Sequence, residues 1–181
     1  MRRYVALLRA LNVGGHTVTM ARLRGLFEQA GFSGVETVIA SGNVIFGTAT
    51  RQVAPLERRI ERHLREALGY AVATFIRTPD ELARVVRARP FEPSAIAAPG
   101  TRVFVAFLGS ELSIRGRKDA LALRTETDDL VVDGREIYWL CRVPANEASV
   151  SGAVLEKTLG APVTVRNITT VRKLADRSSS A

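Results

Sequence analysis

Short apolar runs alternate along this chain with stretches whose apolar side chains recur every three or four residues, and the alternation happens twice. Residues 4–8 are apolar at every position, which predicts a strand buried on both faces. Met20, Leu23, Phe27 and Ala30 then share one helical face. Gly31 and Phe32 follow as a left-handed C′ residue and its hydrophobic closing contact. Residues 35–39 predict a second strand, Ser41-Gly42 a turn and residues 43–46 a third strand. Leu56, Ile60, Leu64 and Leu68 line a helix that starts near Pro55 and stops at Gly69. Residues 71–77 complete the order βαββαβ, the split unit of ferredoxin-like folds.

Thr78-Pro79-Asp80-Glu81 opens the next helix with an N-cap, a proline at the first helical position and a capping-box glutamate. Pro90 ends that helix, and residues 91–101, rich in Pro, Ala and Gly, read as a linker. The first order then recurs. Residues 103–108 predict a strand and residues 115–123 a helix. Residues 130–132 and 136–141 predict a hairpin across Asp133-Gly134, a pair suited to a type I′ turn. Val154, Leu155 and Leu159 predict a helix ending at Gly160, followed by a strand over 163–165 and a last helix over 169–175. The expected fold is α+β, with two tandem ferredoxin-like halves packed together and a C-terminal helix. The expected division is 1–78, a helix and linker over 79–101, and 102–181. The duplication is read from topology, since no residue-level repeat is evident.

Composition narrows the classes. A chain of 181 residues can bury a substantial core, and no window holds the roughly 18 apolar residues needed to span a bilayer. Arg9 interrupts the N-terminal apolar run too early for a secretory leader, and Cys141 is the only cysteine, so a cytoplasmic protein is expected. The net charge is +8, with +6 carried by residues 1–78. Among the 26 basic residues only Lys118, Lys157 and Lys173 are lysine. Such a balance favours anionic partners, nucleic acid among them, but suits a merely soluble surface as well. His16, His63 and Cys141 form no plausible zinc set, and Gly14-Gly15 lacks the Gly-Lys-Ser/Thr of a Walker loop, so no metal or cofactor is expected.

Three polar motifs sit where apolar runs end: Arg9 through Asn12 to Gly14-Gly15, then Ser41-Gly42-Asn43, then Arg166-Asn167. In a ferredoxin-like sheet the first and third strands are antiparallel neighbours, so the first two motifs should share one rim. There Arg9 would clamp a carboxylate or phosphate, Asn12, Ser41 and Asn43 would orient it, and Gly14, Gly15 and Gly42 would let the backbone approach. Arg166 and Asn167 would join only if the C-terminal segment folds back. The structural alternative makes each motif a turn, with Asn167 capping the last helix.

YVALLRALNVGG, the M-x-x-L-x-x-L-F helix closed by glycine, TVIASGNVIF and VRNITTVRKL together resemble domain-of-unknown-function family 1697 over nearly the whole chain. The resemblance implies a bacterial soluble α+β protein and brings no substrate. Ala10-Leu11 stand where Gly-Ile is typical of that family, Val38 where Tyr is, Ala40 where Gln is and Ile168 where Trp is.

Three functions follow as expectations. The first is a module binding a small anionic ligand, a nucleotide or carboxylate metabolite, at the rim. The second is a nucleic-acid binder using a helix face with Arg58, Arg59, Arg62 and Arg65. The third is an enzyme using Arg9 and Asn43, for which no convincing base is present and no catalytic residue is assigned. Asp128, Asp129 and Asp133 read as a solvated carboxylate cluster, and Cys141 as a buried thiol.

Overall fold

The computed structural model describes every residue except Val13, Ala40, Ser41, Ala145, Ser180 and Ala181. Among the described residues the elements run β1 (Arg2–Arg9), α1 (Met20–Gln29), β2 (Ser33–Thr37), β3 (Asn43–Thr48), α2 (Val53–Leu68), β4 (Ala73–Arg77), α3 (Pro79–Arg87) and α4 (Pro93–Ala97). They continue as β5 (Arg102–Leu108), α5 (Ile114–Leu121), β6 (Asp128–Asp133), β7 (Glu136–Cys141), α6 (Gly152–Leu159), β8 (Val163–Asn167) and α7 (Ile168–Ser179). The strands form two four-stranded antiparallel sheets, ordered β2-β3-β1-β4 and β6-β7-β5-β8.

In the first sheet, Tyr4, Ala6, Leu8 and Phe46 offer one face to Leu23 and Phe27 of α1 and to Leu56, Ile60 and Leu64 of α2. The helix ends follow the local chemistry. Gly31 (φ 83°) closes α1, its N–H donating to Glu28 O, while Phe32 N donates to Phe27 O and the Phe32 ring packs 5.8 Å from that of Phe27. Gly69 and Gly160, both left-handed, end α2 and α6 in the same way. The capping box of α3 is complete: Glu81 N donates to Thr78 Oγ1 and Thr78 N to Glu81 Oε2.

Some expectations change. β2 ends at Thr37 rather than residue 39, because Ile39 turns into a left-handed conformation (φ 59°) and leaves the ladder. The stretch 91–101 is not a plain linker: Phe91 is buried and α4 forms within it, with Pro93 at its start. The second hairpin turns through Gly134 and Arg135, with only Gly134 at positive φ. A type I′ turn needs both, so that expectation fails. The chain divides into two compact units, Met1–Ala83 with the chain from Lys173 onward, and Arg84–Arg172. The end of α7 therefore leaves the expected 102–181 half; Arg177 of that helix pairs with Glu36 of β2.

The two sheets also match at individual residues. Val5 lies opposite Arg77 in the first sheet and Val105 opposite Arg166 in the second. That match aligns Tyr4-Val5-Ala6-Leu7-Leu8 with Phe104-Val105-Ala106-Phe107-Leu108. Both arginines are buried, each donates to the carbonyl before it (Ile76, Val165), and each precedes the capping residue of a helix. No local window contains this match, because it joins residues about a hundred positions apart through strand pairings.

Ala10 stands at φ 59° just after β1. A left-handed backbone costs an L-residue roughly 1–2 kcal/mol, of which glycine's greater unfolded-state entropy returns about 0.5–1. Ala10→Gly should therefore stabilise the protein by up to about 1 kcal/mol, seen as a higher urea midpoint at unchanged slope. A lower midpoint would mean that no strain resides there.

Candidate functional site

The site grows from the end of β1. Leu7 pairs with Asn43 and Arg9 with Ala73, so β1 finishes between the starts of β3 and β4. One step on, Leu8 N donates to Gly42 O at 2.8 Å. A Cβ on Gly42, itself at φ 72°, would lie 3.1 Å from Leu8 Cβ and 3.4 Å from Leu11 Cδ2, so only glycine lets the two loops close. The Arg9–Asn12 segment and the Gly42-Asn43 step are thus direct neighbours. Ser41 lies outside the described residues.

Much of the polar chemistry here holds the loops themselves. Asn43 is fully buried; its Nδ2 donates to Val38 O at 3.0 Å, and its own carbonyl accepts from Val38 N at 2.9 Å. Exposed Asn12 accepts from Val18 N through Oδ1 at 2.7 Å, which draws residues 12–18 into a closed loop. Tyr70 Oη donates to Leu11 O at 2.7 Å, and the His16 ring lies flat on the Tyr70 ring with centroids 4.0 Å apart. Gly14 (φ 63°) and Gly15 (φ 85°) are exposed, and no heavy atom lies within 4 Å of where either Cβ would stand. Backbone there is open to approach. Arg9 is half-buried at the edge of this group.

Arg166 and Asn167 belong to the other unit. Arg166 Nη1 donates to Thr164 Oγ1 at 2.8 Å and to Val165 O at 2.9 Å. Burial lowers its pKa to about 10, which leaves it charged at neutral pH. Asn167 Oδ1 accepts from Thr169 N at 2.8 Å and caps α7.

The carboxylate cluster is not uniformly solvated, contrary to expectation. Asp128 is wholly buried and accepts from Trp139 Nε1 (2.7 Å), Thr127 Oγ1 (3.0 Å) and Ser149 N (3.1 Å). Trp139 and Ser149 come from later stretches of the chain, which no local pattern reveals. Cys141 is buried, donates to Val143 O, and has its thiol pKa raised chiefly by burial. Arg59 also departs from the expected basic face. Its Nη2 donates to Ala30 O at the end of α1, and its guanidinium lies over the Phe32 ring. Among the described residues no group of three or more His, Cys, Asp or Glu could hold a metal ion. No helix there is long and apolar enough to cross a membrane.

The fold defines an α+β protein with two four-stranded antiparallel sheets, each with flanking helices. The chain belongs to DUF1697, a family of proteins of unknown function, whose model matches residues 1–138 and so includes both rim loops. A conserved bacterial protein from Streptococcus pneumoniae has a similar solved structure, at 22% identity and a TM-score of 0.75, covering 99% of each chain. That likeness establishes the fold. No curated protein sequence matches the chain.

Asn43→Ala leaves a buried carbonyl without its partner and should destabilise the protein by about 1–3 kcal/mol. Chemical denaturation measures this; a loss within error would mean that the buried amide does not hold the rim.

Proposed function

We propose that each unit is a ferredoxin-like module and that the first binds a small anionic ligand, a nucleotide or carboxylate metabolite, at the rim formed by the Arg9–Gly15 and Ser41–Asn43 loops. The carrying observation is a difference between the two copies of the scaffold. In the second unit, residues 109–113 connect β5 to α5 and residues 134–135 connect β6 to β7. At the matching end of the first unit the connections are residues 10–19 and 38–42, each at least twice as long. A fold that closes with short turns in one copy spends extra chain at one end of the other, and binding residues concentrate on such loops.

Two further features support the reading. Ile39, β-branched and 46% exposed, is held in a left-handed conformation that β-branched residues rarely adopt. The open Gly14-Gly15 backbone and the His16–Tyr70 stack offer N–H donors and a flat surface. The role proposed is binding, with Arg9 supplying charge, in the reducing interior of a cell where the lone buried thiol of Cys141 needs no protection. A thermal-shift panel of nucleoside monophosphates and di- and tricarboxylates tests it. A ligand at 100 times its Kd adds about 2.7 kcal/mol of stability, and Arg9→Ala should abolish that gain without lowering the ligand-free melting temperature. Unfolding of Arg9→Ala, or no stabilisation by any member, rejects the rim.

A second reading has its own observation. Arg58, Arg62 and Arg65 stand exposed on one face of α2, without ion-pair partners among the described residues. Nucleic acid would be held there by phosphate contacts rather than by base stacking, because Tyr4 and Phe46 on the central strands are buried. With three phosphates engaged, affinity for a single-stranded oligonucleotide should fall with salt at a log–log slope of about −2. The triple alanine variant should remove the slope, and a flat profile for the unaltered protein eliminates this reading.

A further inference from the structure

We infer that the second unit holds a separate site for a small organic anion with an apolar body, in the cavity between the α3–α4 segment, β5, β7 and the start of α7. The cavity measures about 520 Å³, within the range of about 300–1,000 Å³ that encloses small organic ligands. It lies on the face of the second sheet turned away from that sheet's core. Phe104, Ala106, Ile137 and Trp139 point into the core, whereas Val103 and Tyr138 alternate with them and line the cavity.

The wall has two kinds of surface. Phe91, Ile96, Pro90 and Ile168 make an apolar bed, and Ile96 remains 39% exposed at it. The charged residues of the wall are Arg89, Arg102 and Arg172, with no carboxylate among them. Arg172 has no hydrogen-bond or ion-pair partner for its side chain among the described residues, whereas Arg102, opposite Cys141, stands on the core-facing side of β5. Arg89 is held by Nη1 against the carbonyls of Val86, Arg87 and Ala88 at the end of α3, which leaves its other guanidinium donors for a ligand.

Two hydroxyls complete the wall. Thr101 Oγ1 is buried with no hydrogen-bond partner among the described residues. Tyr138 is 4% exposed, and its hydroxyl likewise bonds to no described residue. Burial, with Glu136 and Asp133 nearby, raises the phenol's pKa well above its ordinary value, so it remains a donor across the physiological range. Buried polar atoms are nearly always paired in folded proteins. The unpaired Thr101 hydroxyl, the cations Arg89 and Arg172 and an apolar bed lining one space fit a carboxylate or phosphate head on a carbon body. The N-terminus of α7, with Ile168 and Thr169 in the wall, adds its positive end.

Isothermal titration of the full chain with octyl phosphate, octanoate, octan-1-ol and inorganic phosphate tests the assignment. Octyl phosphate or octanoate should bind one to one, the tighter of the two identifying the head group. Octan-1-ol and inorganic phosphate should each bind at least tenfold more weakly. The Arg172→Gln variant should lose at least tenfold in affinity for the tighter amphiphile. Ile96→Ser should lose several-fold for the amphiphile and leave inorganic phosphate unaffected. These positions are exposed, so unchanged melting temperatures are expected and are measured alongside. Equal binding of octan-1-ol would reduce the site to an apolar void. Equal binding of inorganic phosphate would reduce it to surface charge. An unaltered Kd in the Arg172→Gln variant overturns the assignment outright.

Discussion

Each unit hangs on the pairing of its first and third strands. β1 meets β3 from Arg2↔Thr48 to Leu7↔Asn43, and β5 meets β7 from Arg102↔Cys141 to Phe107↔Glu136. These strands are apolar on successive positions, so a slip of one residue would exchange one apolar face for another. The hydrophobic pattern alone does not fix their register. What fixes it are the hydrogen-bonded ends, Leu8 N to Gly42 O and Leu108 N to Arg135 O, and the polar side chains buried at single positions. Asn43, fully buried opposite Leu7, donates to Val38 O and so pins the start of β3 against the end of β2.

The arginine excess has a structural use that composition alone does not reveal. Arg22 donates to Ala67 O near the end of α2, Arg117 and Arg124 to Val132 O and Leu130 O on edge strand β6, and Arg142 to Glu126 O. With Arg59, Arg77, Arg89 and Arg166, these long five-donor side chains satisfy carbonyls where helices and ladders run out. Glutamates serve the opposite need. Glu57 and Glu61 of α2 accept the outward N–H groups of Ile76 and Thr74, and Glu156 of α6 accepts that of Val163. The edge strands β4 and β8 are thereby closed to further pairing. Of the expected basic face on α2, the arginines left unengaged are Arg58, Arg62 and Arg65.

The two units differ in where they spend surplus chain and unpaired polarity. The first has lengthened two connections at one end of its sheet and uses Asn12, Asn43 and Tyr70 to hold them. The second keeps those turns short and instead has a cavity on the other face of its sheet, lined by Arg172 and the unpartnered Thr101 hydroxyl. A common fold with different embellishments is how one architecture comes to serve separate ligands.

The sequence by itself determined what short-range rules control. The strand and helix order of both halves, the left-handed glycine ends of α1, α2 and α6, and the capping box of α3 all follow from periodicity and from residues within one turn of each other. The adjacency of the Arg9 and Gly42 loops also follows, once the order of elements is known. Only the tertiary structure decided which polar residues are consumed by the fold. Asn43 and Asp128 looked like candidate chemistry or solvated surface but are buried with partners, while Thr101 looked ordinary and its buried hydroxyl has no partner among the described residues. Burial removes water as a partner, so each buried polar atom depends on whichever distant segment packs beside it. Asp128 needs Trp139 and Ser149, and α7 crosses from one unit to the other before Arg177 meets Glu36. Those partners are set by how the elements pack in three dimensions, and no local window of residues contains them.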